Sequence, residues 1–496
     1  MTPPHAAHRL EGIIRVLRDA GLLREVRGSE DTDVSGVSHD SRATRPGDLF
    51  VAWRGTAMDG HDFVEAAVDA GAAAVICERA VDVDVPRLIV QNGRSAAARA
   101  AQWFEGRPSE SLELAAITGT NGKTTTALLL RHLLADRART AVVGTLGYVG
   151  PDGVVHPETV GLTTPGPVDF SRRLRECVDD GVEVVVFEAS SHALHQHRFD
   201  GVAVDVAVFT NLSRDHLDYH GDMAAYRAAK LRLVEHLAVD GTVVVNAADP
   251  AWSGVRGPST LTFSVGGDSS DDVDLRAVDV RADRSGTDFT VIHRGERHPA
   301  RIPLVGGFNV ENALAAAAAA LAAGRPLDTV IERLRTVPQV PGRLERVVDG
   351  PVVVFIDFAH TPDALERVIA TLRPLVTGRL IVLFGAGGDR DVTKRPPMAA
   401  AVAAAADLAV LTSDNPRTED PESILDDLEP GLAGTEFVRE VDRRAAIRLA
   451  ISSAHDGDLV LLAGKGHERT QTIGTERQPF DEAEIARAAW AERGAA

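Results

Sequence analysis

The sequence predicts an α/β protein of three compact units, with a central parallel-sheet, phosphate-loop domain and a last domain shaped like a dinucleotide-binding fold. Three observations carry this. At 496 residues the chain exceeds what one hydrophobic core usually organises. Short apolar runs rich in valine and isoleucine recur between helical stretches along its whole length. One of those runs passes through a glycine turn directly into a helix.

The elements follow in order. Up to about residue 110, LFVAW, AAVIC and RLIV read as strands, and residues 63–71 as an alanine-rich helix. ELAAITGTNGKTTTALLLRHLLA gives strand, turn and helix and opens the second unit, whose further strands are VEVVVFEAS, VDVAVFTN and GTVVVN. Such continuous apolar runs suit a parallel sheet covered on both faces. Between residues 254 and 303 the polar alternation of DLRAVDV and TDFTVIH predicts a small antiparallel patch attached to that unit. Residues 313–323, almost all alanine, predict a buried helix, since a bilayer needs about 20 apolar residues. Pro338 and Pro341 break helical continuation and predict a hinge. After it, PVVVFIDFAH, GRLIVLFGAGG, ADLAVLTS and GDLVLLAG predict the third α/β unit. The expected domains are therefore 1–110, 111–337 and 338–496.

Composition excludes some classes of function. Hydrophobic residues make up 44% and charged residues 25%, as in ordinary globular proteins. A formal charge of -19 argues against nucleic acid and against an anionic membrane surface, so an anionic ligand must meet local cations. Cys77 and Cys177 are the only cysteines, which gives neither a disulfide framework nor a zinc cluster and fits a reducing compartment. The start, MTPPHAAHRL, lacks the basic and apolar regions of a signal peptide. A cytoplasmic protein without membrane insertion is expected.

The chemistry concentrates in three stretches. Gly119, Thr120, Asn121, Gly122, Lys123, Thr124 and Thr125 lie between strand and helix, where backbone N–H groups can surround phosphate oxygens. Ile117 stands where the longer phosphate-loop pattern has glycine, so the loop is a shortened one. Lys123 would reach terminal phosphates and Thr124 a magnesium ion. Glu188 ends an apolar strand, where a bare carboxylate is costly; it is a candidate metal ligand, or else caps the helix after Ser190. TNLSRDHLDYHG crowds Asp215, His216, Asp218 and His220 after a strand, suited to acid/base or metal work.

With TGTNGKTT, EASSHAL and TNLSRDHLDYHG in this order and spacing, nearly the whole chain resembles the Mur ligase family. The resemblance implies three domains, ATP and Mg2+ as cofactors, an acyl-phosphate intermediate and a monomeric enzyme. Lys123, Glu188, His216 and Lys230 match the catalytic set, with Thr124, Glu188, His216 and Lys230 toward metal. Lys230 matches a family lysine that is carbamylated, although by itself it reads as a helix-face lysine. VSHDSRATRPGDLFVAWRGTAMDGHDF is similar to a uridine-binding segment, implying Ser41, Thr56, Ala57 and Met58 around uracil and ribose. Thr163, Thr164, Ser190, Gln196 and Arg198 match positions that hold the muramoyl peptide; taken alone, Arg198 would be a surface ion pair. Asn309 and Asn312 in FNVENALAA match an adenine-side motif, with helix capping as the other reading of Asn309. Arg343, Asp357 and His360 match residues that close over the nucleotide.

Asp414, Asn415, Pro416 and Arg417 match the motif of family members that add meso-diaminopimelate to UDP-N-acetylmuramoyl-L-alanyl-D-glutamate; by itself DNPR is a proline turn. Physics agrees with the match. Diaminopimelate carries one carboxylate more than lysine, and an unpaired buried arginine penalises the amino acid that lacks it. Arg390 and Arg417 are the expected cations, and Gly464 and Glu468 address the zwitterionic end. Departures from the pattern include Leu162, Phe358 and Arg469 to Gln471, leaving open a lysine-adding or other paralogue. A nucleotide-binding module without turnover is the remaining alternative.

Overall fold

The computed structural model describes residues 8–55, 58–156, 161–266 and 273–495. Its contacts group the chain into two compact units. The first runs to Arg276 and takes in Asn312–Val330; the second holds Ala277–Glu311 and Ile331–Ala496.

The first unit contains two large sheets and a short antiparallel pair, His8–Arg9 with Asp33–Val34. In the smaller, Arg87–Val90, Ala74–Cys77, Asp48–Val51 and Gly36–Ser38 pair in parallel, with Leu23–Arg27 antiparallel at one edge. These are the strands expected from LFVAW, AAVIC and RLIV, and the alanine-rich stretch forms the helix Val64–Asp69. In the larger sheet, Thr140–Gly144, Val184–Glu188, Glu113–Thr118, Val204–Phe209, Leu237–Asn246 and Ser259–Val265 lie side by side in parallel. Their central strands are buried on both faces, which is why they read as unbroken apolar runs rather than alternating ones. The strand order puts the carboxyl ends of Glu113–Thr118 and Val184–Glu188 next to each other, with Glu188 opposite Ile117. Loops leaving those ends form the crevice in which open α/β sheets bind ligands.

The core under that crevice is aromatic. Phe187 is fully buried, with ring centroids 5.1 Å from Phe170 and 5.2 Å from Phe199, both edge-on. Because Phe187 precedes Glu188, this cluster anchors the strand end that carries the carboxylate. Phe187→Ala should lower unfolding stability by about 3–5 kcal/mol, read as an earlier midpoint in urea; an unchanged midpoint would show that the cluster holds nothing. The alanine tract forms the buried part of the helix Gly307–Ala322, where Ala313 to Ala320 are at most 1% exposed. No helix among the described residues is long and apolar enough to cross a membrane.

In the second unit the strands Gly286–His293 and Glu296–Ile302 form an antiparallel ribbon, as the polar alternation predicts. Val353–Asp357, Leu459–Ala463, Leu380–Phe384, Leu408–Leu411 and Phe437–Arg439 make a parallel sheet with Glu345–Val348 antiparallel at its edge. Helices Pro362–Leu372, Arg395–Ala403 and Pro421–Leu428 cover one apolar face through Leu365, Met398 and Leu425. Arg443–Ser452 and the last helix cover the other through Ile447 and Ile485.

Candidate functional site

The phosphate loop is shaped by two glycines in left-handed conformations, Gly119 with φ 146° and Gly122 with φ 86°. Neither position has room for a side chain. A Cβ on Gly119 would fall 1.8 Å from Thr210 Oγ1, and one on Gly122 would fall 2.2 Å from Asn312 Oδ1. Asn312 therefore packs on the loop, while Asn309 is buried and donates from Nδ2 to Val305 O at 2.9 Å. Thr120 and Asn121 are tied to the neighbouring strand end: Thr120 N donates to Asn211 O at 2.7 Å, and Asn121 N to Asn211 Oδ1 at 3.0 Å. The helix Lys123–Leu134 starts at the loop and buries Thr124 and Thr125 in its first turn. Lys123 Nζ curls back to Gly119 O at 3.0 Å and Thr120 O at 2.9 Å.

Glu188 is 1% exposed. Its Oε1 accepts from Thr124 Oγ1 at 2.9 Å and from Thr145 N at 2.8 Å, and its Oε2 accepts from Thr145 Oγ1 at 3.1 Å. Those donors are all neutral. A carboxylate withdrawn from water and faced by neutral donors keeps uncompensated negative charge, so the oxygen set of Thr124 and Glu188 fits a magnesium ion. The capping alternative is excluded, because Ser190 caps the helix Ser191–His195, accepting from Ala193 N at 3.2 Å. Sequence reasoning missed Thr145, which carries no motif of its own.

Lys230 is not a surface lysine. It is 1% exposed on the helix Met223–Leu231 and donates to Gly119 O at 2.7 Å. Its ammonium lies 4.6 Å from the centre of the Tyr226 ring. Burial, with Lys123 nearby, pushes its pKa well below that of an ordinary lysine. Tyr226 Oη meets Thr120 Oγ1 at 3.2 Å and is pushed up to about 12 by burial. His216 sits in a left-handed conformation, φ 53°, about half exposed and 6.2 Å ring to ring from Tyr226. Around it lie His192 at 4.8 Å, and beyond that Tyr219 and His220 at 4.2 and 5.5 Å from His192. Burial, then His216 and His220, depress His192 to about 4. His192, Tyr219 and Tyr226 were missed by the sequence reading; Tyr219 directly before His220 was the available signal.

The residues assigned to the muramoyl peptide are connected. Thr164 Oγ1 donates to Glu188 O at 2.6 Å and accepts from Ser190 N at 3.1 Å, and Thr145 Oγ1 lies 3.3 Å from Thr163 Oγ1. Arg198 donates from Nη1 to Thr164 O at 2.6 Å and from Nη2 to Gln196 Oε1 at 2.9 Å. Gln196 Nε2 in turn meets Tyr219 Oη at 3.0 Å. Arg198 has no carboxylate partner among the described residues, so the ion-pair reading falls. In the smaller sheet's loops, Ser41 lies in a turn where Ser38 Oγ and Thr44 Oγ1 both donate to Asp40 O, at 3.0 and 3.1 Å. The Arg42 guanidinium bonded to Asp40 holds that carboxyl down to about 2. Met58 is 68% exposed; Thr56 and Ala57 lie outside the described residues.

The second unit carries its own cluster. Asp357 is buried at a strand end, where Oδ2 accepts from Leu344 N at 2.7 Å and Oδ1 from Ala359 N at 2.8 Å; burial raises its pKa despite the nearby Arg343. Arg343 stacks on Phe358, 4.9 Å to the ring centre, and His360 Nδ1 meets Phe358 O at 2.7 Å. Asp414 and Asn415 follow the strand Leu408–Leu411 and are buried. Asn415 Nδ2 donates to Glu468 Oε2 at 2.8 Å, and its Oδ1 accepts from Lys465 Nζ at 3.0 Å and Thr472 N at 2.9 Å. Lys465, fully buried and also 2.9 Å from Glu468 Oε2, was missed. Gly464, φ 115°, leaves no room for a side chain beside Asp414 Oδ2. Arg417 donates to Gly388 O at 2.7 Å, and a Cβ on Gly387 would lie 3.0 Å from Arg417 Nη1 and 3.8 Å from Arg390 Cγ. DNPR is thus part of a converging polar pocket, not an isolated turn.

These features define an α/β protein with a glycine-rich phosphate loop and a buried carboxylate, Glu188, beside it. Family descriptions match three stretches: Mur ligase family, catalytic domain, over 33–104; Mur ligase middle domain over 117–320; and Mur ligase, glutamate ligase domain, over 342–466. A Bacillus licheniformis protein named UDP-N-acetylmuramoyl-L-alanyl-D-glutamate–2,6-diaminopimelate ligase is 42% identical over 477 residues, 93% of this chain and 96% of its own. One of the same name from Synechococcus elongatus is 43% identical over 491 residues, covering 96% and 97%. A solved structure bearing that enzyme name superposes with TM-score 0.71 at 33% identity, over 99% of this chain and all of its own. The chain belongs to the Mur ligase family.

Proposed function

We propose that this protein is an ATP-dependent amide ligase that joins meso-diaminopimelate to UDP-N-acetylmuramoyl-L-alanyl-D-glutamate in peptidoglycan precursor synthesis. The single observation that carries the reading is the meeting of Lys123, Lys230 and the Thr124–Glu188 pair around one glycine loop. The three functional parts are residues 1–110, 111–337 and 338–496, and the enzyme is a cytoplasmic monomer.

The D-glutamyl side-chain carboxylate attacks the γ-phosphorus of ATP, ADP leaves, and an acyl phosphate remains. The diaminopimelate amine then attacks the acyl carbon, loses a proton, and phosphate departs. Lys123 offsets charge on the transferring phosphoryl oxygens, and the loop N–H groups hold them in place. Thr124 and Glu188 would hold magnesium, with His216 and Lys230, once carbamylated, toward a second ion, and the metal would supply further positive charge at those oxygens. Arg198, fixed by Thr164 and Gln196, holds the acidic peptide. Asn309 and Asn312 would contact the adenine, and Arg343, Asp357 and His360 are assigned to the nucleotide. Ser41, with the segment Thr56 to Met58, takes the uridine. Arg417 and Arg390 select the carboxylate that lysine lacks, while Gly464 and Glu468 meet the amino-acid end. Holding amine and acyl phosphate together supplies much of the rate.

Phosphate release should require ATP, magnesium, the UDP-muramoyl dipeptide and diaminopimelate together, with lysine a much poorer acceptor. Equal or faster product formation with lysine would overturn the acceptor assignment. ATP turnover independent of the dipeptide would overturn the ligase.

A further inference from the structure

Arg94 has no role in the account so far, yet it occupies a costly position. It is the second residue of the helix Gly93–Phe104, half-buried, with its Cζ 5.5 Å from the centre of the Trp53 ring. Trp53 in turn stacks on His39, 5.4 Å between rings. No acceptor among the described residues takes a hydrogen bond from the Arg94 guanidinium. The carboxylate nearest in its electrostatics, Glu78, is committed to backbone donors, Gly93 N at 2.8 Å and Arg54 N at 3.1 Å.

Two side-chain bonds fix what faces it. Asn92 Nδ2 meets His197 Nε2 at 3.1 Å, and Ser95 Oγ donates to Asp200 Oδ2 at 2.6 Å. They clamp the start of the helix that carries Arg94 against residues 197–200, the turn that carries Arg198. Arg198 bonds only neutral oxygens, those of Thr164 and Gln196. Burial, and then the charge of Arg94, weaken the hold of Arg198 on its proton. Two half-buried guanidinia whose charges act on each other, neither bonded to a carboxylate among the described residues, repel, and an anion held by both removes that cost.

We propose that Arg94 is a substrate-binding residue which, together with Arg198, grips an anionic oxygen group of the UDP-muramoyl peptide, either a phosphate or a peptide carboxylate. This rests on the function proposed above. Arginine suits the task because its fork presents paired donors to such oxygens.

The test uses Arg94→Met, which keeps apolar bulk over Trp53, and Arg94→Lys, which keeps the charge. The KM for the UDP-muramoyl dipeptide should rise about tenfold to a hundredfold in Arg94→Met. The KM values for ATP and diaminopimelate and the melting temperature should stay as in wild type, and Arg94→Lys should recover part of the loss. Binding of UDP alone separates the two sources: weakened equally, it assigns the phosphates; unchanged, it assigns the carboxylate. An unaltered KM for the dipeptide substrate in Arg94→Met overturns the proposal while leaving the ligase intact, as does a parallel rise of all three KM values. A wild-type protein that never consumes the UDP-muramoyl dipeptide overturns both.

Discussion

Lys123→Ala should lower kcat about a thousandfold while the protein stays folded and still binds ADP. Removing one well-placed donor from a transition state that gathers negative charge costs about 10²–10³ in rate, and Lys123 is the cation built into the loop itself. Its Nζ donates to Gly119 O and Thr120 O, which holds the ammonium over the loop. Lys230 also donates to Gly119 O, which preserves the loop's shape when Lys123 is shortened. The measurement is single-turnover phosphate release beside ADP titration and a melting curve. A variant keeping more than a tenth of the wild-type rate, with the dipeptide still converted, would remove the loop from the chemistry.

Arg417→Ala should cost about a hundredfold in kcat/KM for diaminopimelate and leave the slow rate with lysine almost unchanged. The backbone at Arg417 is pinned on both sides, its N donating to Thr472 O at 3.1 Å and its O accepting from Gly474 N at 2.6 Å. The substitution therefore removes a side chain rather than moving a loop, since φ 53° at this residue strains arginine and alanine, which both carry a Cβ, alike. One guanidinium nitrogen is committed to Gly388 O, and no carboxylate among the described residues takes the rest. A charge-assisted bond to a ligand carboxylate is worth about 1.5–3 kcal/mol, and lysine has no carboxylate there to lose it. Competition between the two amino acids in one reaction reads the ratio. Rates falling in parallel for both would show that Arg417 shapes the pocket without choosing its occupant.

Much of this was legible before any coordinates. A parallel sheet buried on both faces writes itself as valine and isoleucine runs, so the strand that ends in Glu188 could be read together with its chemical anomaly, a carboxylate closing an apolar segment. The glycine turn before Lys123 was legible for the same reason, since the backbone permits nothing else there. What stayed hidden depends on pairing across distance. Lys465 looks like one more lysine in a glycine-rich turn until Asn415 and Glu468 close around it. Thr145 follows a strand with no motif, and only the register of the neighbouring strand brings it to Glu188. Arg94 resembles any surface helix arginine, because neither Trp53 nor the 197–200 turn is near it in sequence.

The three partners of Asn415 admit one orientation of its amide: oxygen toward Lys465 and the Thr472 N–H, nitrogen toward Glu468. That residue also stands directly before Pro416. Spontaneous loss of ammonia from an asparagine proceeds by attack of the following residue's backbone nitrogen on the side chain, and a proline nitrogen carries no hydrogen to take part. The buried amide of Asn415 is thus kept in a form protected against chemical ageing, where conversion to aspartate would set a second carboxylate against Glu468.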